Sequence, residues 1–452
     1  MDLTPNFGFA FLCALIALSG ILIYRANGGK FFEPTIPSFF LLFYSATTLV
    51  GAFLMFFHLN QGAQGRGQTH PQVLQDVLLA SSTTILLVAL GCIIANLLFQ
   101  TNSHKDIEKF QANNLSSSFN IYPLIIIGIL CLVIFIIYVS NVGGIPLLSI
   151  FQNLKGIDLA RLRSDATNNF EGKFHRFSLF FHHVMPFLSF SIFAASILNR
   201  KLKPLAIGFL CLNALLLLND LAKAPLLLFV VGLVITWMIA RVKTFRFQAL
   251  AMGAGLLFGL AIILKYFFMK MSDTPLIDVF LSTVDRIVGG QIVDFYHYID
   301  YYPHVRPFLM GRGLANPGGL LPHDPVSITV EISGYSMPHL FRIGIVGSSP
   351  TAFFGTIYAN FGWPLTYFGM LATGFYMQTV NTLAFRMLPR DPLGMGLVAW
   401  LVVHFARLTD TGIELIIFDT PLATVLLIYM VMRKLTPSWQ SESSSPTIMK
   451  SS

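Results

Sequence analysis

Apolar residues run in long blocks along most of this chain, broken by short stretches rich in lysine, arginine, asparagine and proline. A helix needs about 20 apolar residues to cross about 30 Å of hydrocarbon. Blocks of that kind fall near 6–24, 37–58, 77–99, 121–141, 177–198, 205–219, 222–240, 247–268, 362–385, 392–407 and 416–432. The pattern predicts an all-α polytopic membrane protein of eleven transmembrane helices, the sixth and seventh forming a tight hairpin around NDLAKAP. Two connections are long, 142–176 and 269–361, and are expected to carry short helices of their own. Residues 1–436 read as a single integral membrane domain, and the polar tail 437–452 is expected to be disordered.

Composition supports this reading. Of the 452 residues 55% are hydrophobic and 11% charged, with a mean hydropathy of +0.70, whereas an ordinary soluble domain is about a quarter charged. Cys13, Cys92, Cys131 and Cys211 all fall inside apolar runs, so they offer neither a disulfide framework nor a metal-binding spacing. The N-terminus, MDLTPNFGFAF, lacks the basic region and cleavage site of a signal peptide and is read as a retained first span. A net charge of +8 in such a chain reflects loop topology and lipid head groups. No nucleic-acid-binding module is present in the sequence.

The charges orient the spans. Connections 25–36, 100–120, 199–204, 241–246 and 386–391, with the tail from Arg433, hold 15 of the 29 lysines and arginines. The positive-inside rule places them together in the cytoplasm, with the N-terminus outside and the C-terminus inside. Both long connections then face outward, and each carries five cations, a content that such long segments are free to have. The outward cations are mainly arginine, including Arg161, Arg163, Arg176, Arg286, Arg306, Arg312 and Arg342, whereas the cytoplasmic set is balanced between arginine and lysine. A guanidinium fork binds phosphate or carboxylate oxygens bidentately, and an ammonium does not. An anionic ligand outside would account for the bias; solvation of loops and contact with anionic lipid heads is the competing reading.

Within the outer connections, SNVGGIPLLSIF combines a turn with an apolar stretch too short to span. The segment DVFLSTVDRIVGGQIVDFYHYIDYY sets Asp294, His297, Tyr298 and Tyr301 at helical spacing. A polar aromatic face of this kind suits sugar rings, and an interfacial aromatic belt would use the same residues. Residues 350–361 read as a short interfacial or re-entrant helix. Lys223 follows the hairpin turn, Lys265 lies near the end of a span, and Arg407, Asp410 and Glu414 follow another. Charges beside spans mark function or, for Arg407 and Asp410 three apart, a structural pair. His182 and His183 are adjacent and would point apart on a regular helix. No HExxH, Walker A, GxSxG or kinase signature occurs, and no cytoplasmic connection is long enough for a nucleotide-binding domain. Neither a metal nor a cofactor is expected.

Taken in order, GGIPLL, the Arg-rich stretch ending in FHRFSLFFHHVMPF, NDLAKAPLLLFVVG, the Arg286 segment, FLMGRG, SSPTAFFGTIYANFGWPLTYFGMLATG and ARLTDTG form a pattern from about residue 120 onward. It resembles the Wzy-type oligosaccharide repeat-unit polymerases of bacterial surface polysaccharide (O-antigen, exopolysaccharide) export. The resemblance implies a metal-independent, GT-C-like glycosyltransferase at the outer face of the bacterial inner membrane. Such an enzyme transfers a growing glycan from undecaprenyl diphosphate to an incoming lipid-linked repeat unit. It would share a pathway with a flippase and a chain-length regulator. Family members use arginines in their outer loops, and an Arg-ten-Gly pattern noted in some is matched by Arg161–Gly172. Neither Arg286 nor Arg306 has glycine at that distance, and Lys223 stands where many relatives carry arginine in the hairpin.

On this reading Arg161, Arg163, Arg176, Arg286 and Arg407 hold diphosphate, and Asp294, His297 or His339 is the base. Lys223, Tyr298, Tyr301 and Arg312 complete the substrate-binding set. A ligase moving glycan to another acceptor, and a transporter or flippase for the same lipid-linked sugar, are the alternatives. A transporter would be expected to show an internal repeat, and no convincing one is found.

Overall fold

The computed structural model describes residues 4–30, 33–59, 68, 70–113, 120–151, 156–167, 174–219, 223–241, 253, 255, 258–263, 266, 275–316, 319, 322–416 and 419–435. Among them every regular element is helical. In chain order the principal helices are α1 (Thr4–Ala26), α2 (Ile36–Phe56), α3 (Pro71–Leu98), α4 (Ser103–Ala112) and α5 (Tyr122–Val142). There follow α6 (Gly156–Ala166), α7 (Phe174–Leu198), α8 (Lys203–Leu218), α9 (Ala224–Arg241) and α10 (Leu276–Tyr301). The last are α11 (Ile328–Ser336), α12 (Phe353–Phe361), α13 (Trp363–Met387), α14 (Pro392–Ala406) and α15 (Thr420–Leu435).

Seven helical stretches among the described residues are long and apolar enough to cross a membrane: α2, α3, α5, α7, Arg200–Leu218, α9 and Pro392–Thr409. The chain is therefore a polytopic, all-helical protein of membrane type. Three further expected spans coincide with α1, α13 and α15, whose described apolar stretches are shorter or more polar. Most of 247–268, and the tail 437–452, lie outside the described residues.

Local chemistry sets the helix ends. Pro71, Pro123 and Pro392 open α3, α5 and α14, where a missing N–H costs nothing. The Asp391 carboxylate accepts from the Gly394 N–H at 2.8 Å and caps α14; Asn102 accepts from the His104 N–H at 3.1 Å and caps α4. Gly143, at φ +82°, closes α5 in the left-handed region that residues with a Cβ avoid.

Burial separates an inner from an outer layer. The α14 stretch is 89% buried and α7 is 78% buried, whereas α5 and the α8 stretch are each 28% buried. The first pair forms the centre of the bundle, and the second presents apolar side chains such as Ile126, Ile129 and Ile207 at its surface. The tightest crossing joins α3 to α13. A Cβ on Gly374 would overlap the Val88 carbonyl oxygen, and one on Gly91 would overlap that of Leu371. Small residues at such crossings let backbones approach closely where no hydrophobic effect drives helices together.

The connections sort into two groups. Asn96 donates to the Ala26 carbonyl at 2.8 Å, and His104 Nδ1 lies 2.6 Å from Glu33. Arg386 pairs with Asp106 at 3.0 Å, Arg433 pairs with Asp391, and Arg390 donates to the Gln111 carbonyl. These contacts unite 25–36, 100–120, 386–391 and the end of α15. The other group joins the two long connections to each other: Arg161 donates to the Ile343 carbonyl at 3.2 Å, and the Val346 N–H donates to Ser164 at 3.0 Å. Gln68 belongs with it, donating to the Val293 carbonyl at 2.8 Å. Helix α3, 28 residues and so about 42 Å long, separates the two groups. His70 at its start meets the Tyr296 hydroxyl and Asn96 near its end meets Ala26.

Helix α10 alters the expected picture of the second long connection. It runs unbroken for 26 residues and lays its first half along the second half of α2, where a Cβ on Gly51 would strike the Val288 carbonyl. Val279, Ile292, Phe295 and Ile299 form its buried face. Asp278, Asp285, Arg286 and Asp294 lower its average hydropathy, so a block search passes over it.

Candidate functional site

Helix α14 carries Trp400, His404 and, in the 3₁₀ turn that ends it, Arg407. Spacings of four and three place them on one face. The His404 ring stacks on Trp400 with centroids 4.5 Å apart and planes 14° apart. Opposite stands a π-helical turn, Leu179–Val184, inside α7. The extra residue that a π-turn inserts reorients side chains, and such turns recur at functional sites. His182 and His183, expected to diverge on a regular helix, both line the same cavity here.

Arg407 Nη1 lies 3.1 Å from His183 Nε2. A guanidinium can only donate, so His183 Nε2 must be the bare acceptor and its ring proton sits on Nδ1. The His183 and His404 ring centroids are 5.8 Å apart. Across the site His404 Nε2 lies 2.7 Å from Asp419 Oδ2, with the side chains 1% and 4% exposed. The second Asp419 oxygen accepts from the Leu422 N–H at 2.9 Å, which fixes the carboxylate at the start of α15. His404 Nδ1 is buried and has no hydrogen-bond partner among the described residues.

Arg407 and Asp410 are not an ion pair: Arg407 bonds to His183 and Asp410 accepts from Thr411 at 3.2 Å. Burial raises the Asp410 and Glu414 carboxyls above the ordinary range, with the Arg407 charge working the other way. The cavity holds about 90 Å³ between α7, α9 and α14. Its lining mixes polar groups, the three histidines, Arg407 and Asp410, with apolar ones that include Pro186, Phe190, Leu228 and Phe229. Lys223 immediately precedes Ala224, which also lines it. The arrangement offers a fixed cation beside apolar side chains.

Of the catalytic and substrate-binding residues assigned from sequence, Arg407 alone is among those described as lining this cavity. Arg176 is exposed, seven positions before His183 on α7. Arg161 and Arg163 are exposed on α6, and Arg286, Arg312 and His339 are exposed on the segments from α10 onward. Asp294, His297 and Tyr298 are buried where α10 packs. His297 Nε2 lies 2.9 Å from Gln68, and the Tyr298 hydroxyl donates to the Ser349 carbonyl at 3.1 Å. His404, Trp400 and Asp419 escape sequence reasoning, and His183 is noticed there only as one of an adjacent pair.

Tyr301 belongs to a second polar cluster. Its hydroxyl donates to Glu331 at 2.8 Å, Tyr302 donates to the same carboxylate at 3.0 Å, and Arg306 pairs with it. Partial burial opposes ionisation, but these donors together hold the Glu331 carboxyl below its ordinary range. A carboxyl depressed in the folded state stabilises it at neutral pH, and that contribution fades as pH falls through the folded value. Glu331→Gln should therefore speed proteolysis of the segment between α10 and α11 at neutral pH. The difference from wild type should shrink as the medium is acidified and Glu331 protonates; cleavage no faster than wild type at neutral pH would show that the cluster contributes nothing.

Compared with family models, curated proteins and solved structures, the chain matches none.

Proposed function

We propose that this protein is a membrane glycosyltransferase that polymerises lipid-linked oligosaccharide repeat units. On this reading the growing glycan leaves undecaprenyl diphosphate and joins the incoming repeat unit. The observation that carries the proposal is Arg407: a cation oriented by His183, at a cavity lined partly by apolar side chains. An undecaprenyl diphosphate headgroup has the complementary chemistry, a diphosphate attached to a hydrocarbon chain. Departure of that diphosphate needs charge stabilisation rather than a protonating acid, and a preoriented guanidinium shielded from water supplies it.

The sidedness follows from the charge rule applied to the two groups of connections. The group containing 25–36, 100–120 and 386–391 is read as cytoplasmic. The cavity, close to the start of α9 and the end of α14, then opens toward the extracytoplasmic side of the inner membrane, where repeat units arrive. Arg161, Arg163, Arg176 and Lys223 are capture groups at its approach. Tyr301, Arg286, Arg312 and His339 belong to the surface over which the glycan passes. A flippase and a chain-length regulator are the expected partners in the pathway.

The test is reconstitution. Purified protein, given a lipid-linked repeat unit with neither nucleotide nor added metal, should produce a ladder of longer lipid-linked glycans. Movement of the lipid-linked sugar across a vesicle bilayer without lengthening would replace the proposal with transport. Transfer to a different acceptor alone would make the protein a ligase.

A further inference from the structure

We infer that His404, backed by Asp419, is the proton acceptor of the reaction at the Arg407 cavity, an assignment that rests on the polymerase reading. His404 lines the cavity, and its ring is held from two sides, by the stacked Trp400 and by the 2.7 Å bond from Nε2 to Asp419. Asp419 is itself held by the α15 N-terminus. With the Nε2 proton directed at the carboxylate, the lone pair of the imidazole is on Nδ1, the buried nitrogen with no partner among the described residues. Leaving a buried polar atom unsatisfied opposes folding. Packing alone does not call for it, since a glutamine could donate to Asp419 without requiring an imidazole. A base, in contrast, requires that nitrogen bare.

In the step, an acceptor hydroxyl oxygen uses a lone pair to bond the anomeric carbon of the donor glycan. The bond from that carbon to the diphosphate oxygen breaks, and its electron pair stays on the diphosphate beside Arg407. The hydroxyl proton passes to His404 Nδ1, the Asp419 carboxylate balances the imidazolium so formed, and the proton then leaves to solvent. Asp419 is a positioning residue, acting through the imidazole. The titratable groups around this ring are Asp419 from the start of α15, which bonds to it, His183 of α7 with ring centroids 5.8 Å apart, and His182, Arg407 and Asp410, which line the same cavity. Tyr376 of α13 is close enough to sense Asp419. Of these, only Asp419 bonds to His404.

Elongation rates for wild type, His404→Gln and Asp419→Asn, each measured across pH 5 to 9, test the assignment. General-base catalysis is worth about 10²- to 10⁴-fold. His404→Gln should lose that much in kcat with little change in KM. Asp419→Asn keeps a side chain able to cap α15, so it should fold with wild-type thermal stability. Because an amide cannot balance the imidazolium formed in the step, its kcat should fall with little change in KM, and combining it with His404→Gln should cost no more than His404→Gln alone. A folded His404→Gln variant with wild-type kcat and pH profile would overturn the base while leaving the polymerase reading intact. An Asp419→Asn variant whose loss of rate adds in full to that of His404→Gln would reduce Asp419 to a structural role and overturn the dyad. Wild-type protein that elongates nothing at any pH would overturn both readings.

Discussion

Arg407→Ala is expected to abolish detectable elongation of lipid-linked repeat units, with a loss of about 10²- to 10³-fold or more in kcat. A single preorganised charge-stabilising donor is worth about 2.7–4 kcal/mol in the transition state. Arg407 is such a group because its position is fixed: it ends α14, bonds to His183 at 3.1 Å and lines a cavity walled partly by apolar side chains. Arg407→Lys keeps the charge, but an ammonium cannot present two parallel donors to a diphosphate, so it should retain a small fraction of the rate. Removing the guanidinium also leaves His183 Nε2 without its donor. The length ladder should therefore be read beside thermal unfolding of the same preparations. A wild-type ladder from a folded Arg407→Ala protein would remove the cavity from the reaction. Exposed Arg161 and Arg163, by comparison, should when replaced by alanine raise KM and leave kcat near wild type.

The largest effect on stability is expected at the α3–α13 crossing. Gly374→Leu would drive a side chain into the backbone of α3 at Val88, where no rotamer change gives relief because the obstructing atoms are carbonyl and Cα. Overpacking of this sort costs about 1–3 kcal/mol and sometimes more. Here the two helices must separate, so Cys92 Sγ would also lose its contact with the Gly374 carbonyl, 3.3 Å away. The variant should unfold well below wild type in detergent, and Gly91→Leu, striking Leu371 from the other helix, should behave alike. Gly208 on α8 is the control. Nothing lies within 4 Å of a Cβ there, and alanine in a helix interior is favoured over glycine by about 0.5–1 kcal/mol. Equal melting of Gly374→Leu and Gly208→Ala would show that the crossing is looser than it looks.

The elements differ in how far they could be read from sequence. Helix α5, an uninterrupted apolar run from Tyr122 to Val142 between a proline and a left-handed glycine, is evident because lipid-facing surface must be apolar. Helix α13 is equally clear in extent, but the tolerance of polar residues in it has a tertiary cause. Gln378 and Asn381 are buried and bonded to Ser103 and to the Ile36 N–H at the end that gathers Ala26, Asp106 and Asp391. Helix α10 was legible only as a polar aromatic face. Its aromatic residues pack inward, with Tyr298 and Phe295 fully buried, and Tyr301 is engaged with Glu331. A spacing rule gives which residues share a face and is silent on what that face meets.

The site shows the same division. The concentration of arginine in the outer segments and the Arg407, Asp410, Glu414 series were visible without coordinates, because charge beside a span is costly wherever it is placed. His183 was visible only as one of an adjacent pair, and a regular 3.6-residue helix would send the two apart. The two nonetheless line one cavity, within a π-turn at Leu179–Val184 that no local sequence rule anticipates. Asp419 lies 15 residues from His404, across a chain reversal, so their 2.7 Å contact depends on how α15 packs back on α14.

What the sequence by itself determined is the class of molecule: apolar blocks of spanning length, their separation by cationic connections and the arginine bias of the long segments. These are one-dimensional properties, since transfer into hydrocarbon and attraction to phosphate act residue by residue. The tertiary structure alone decided which cation is fixed, which histidine accepts from it and which carboxylate stands behind His404. Those are contacts between helices distant in the chain, chosen by how closely α7, α9, α14 and α15 pack. Packing is a property of shapes meeting in three dimensions, which periodicity along one of them does not encode.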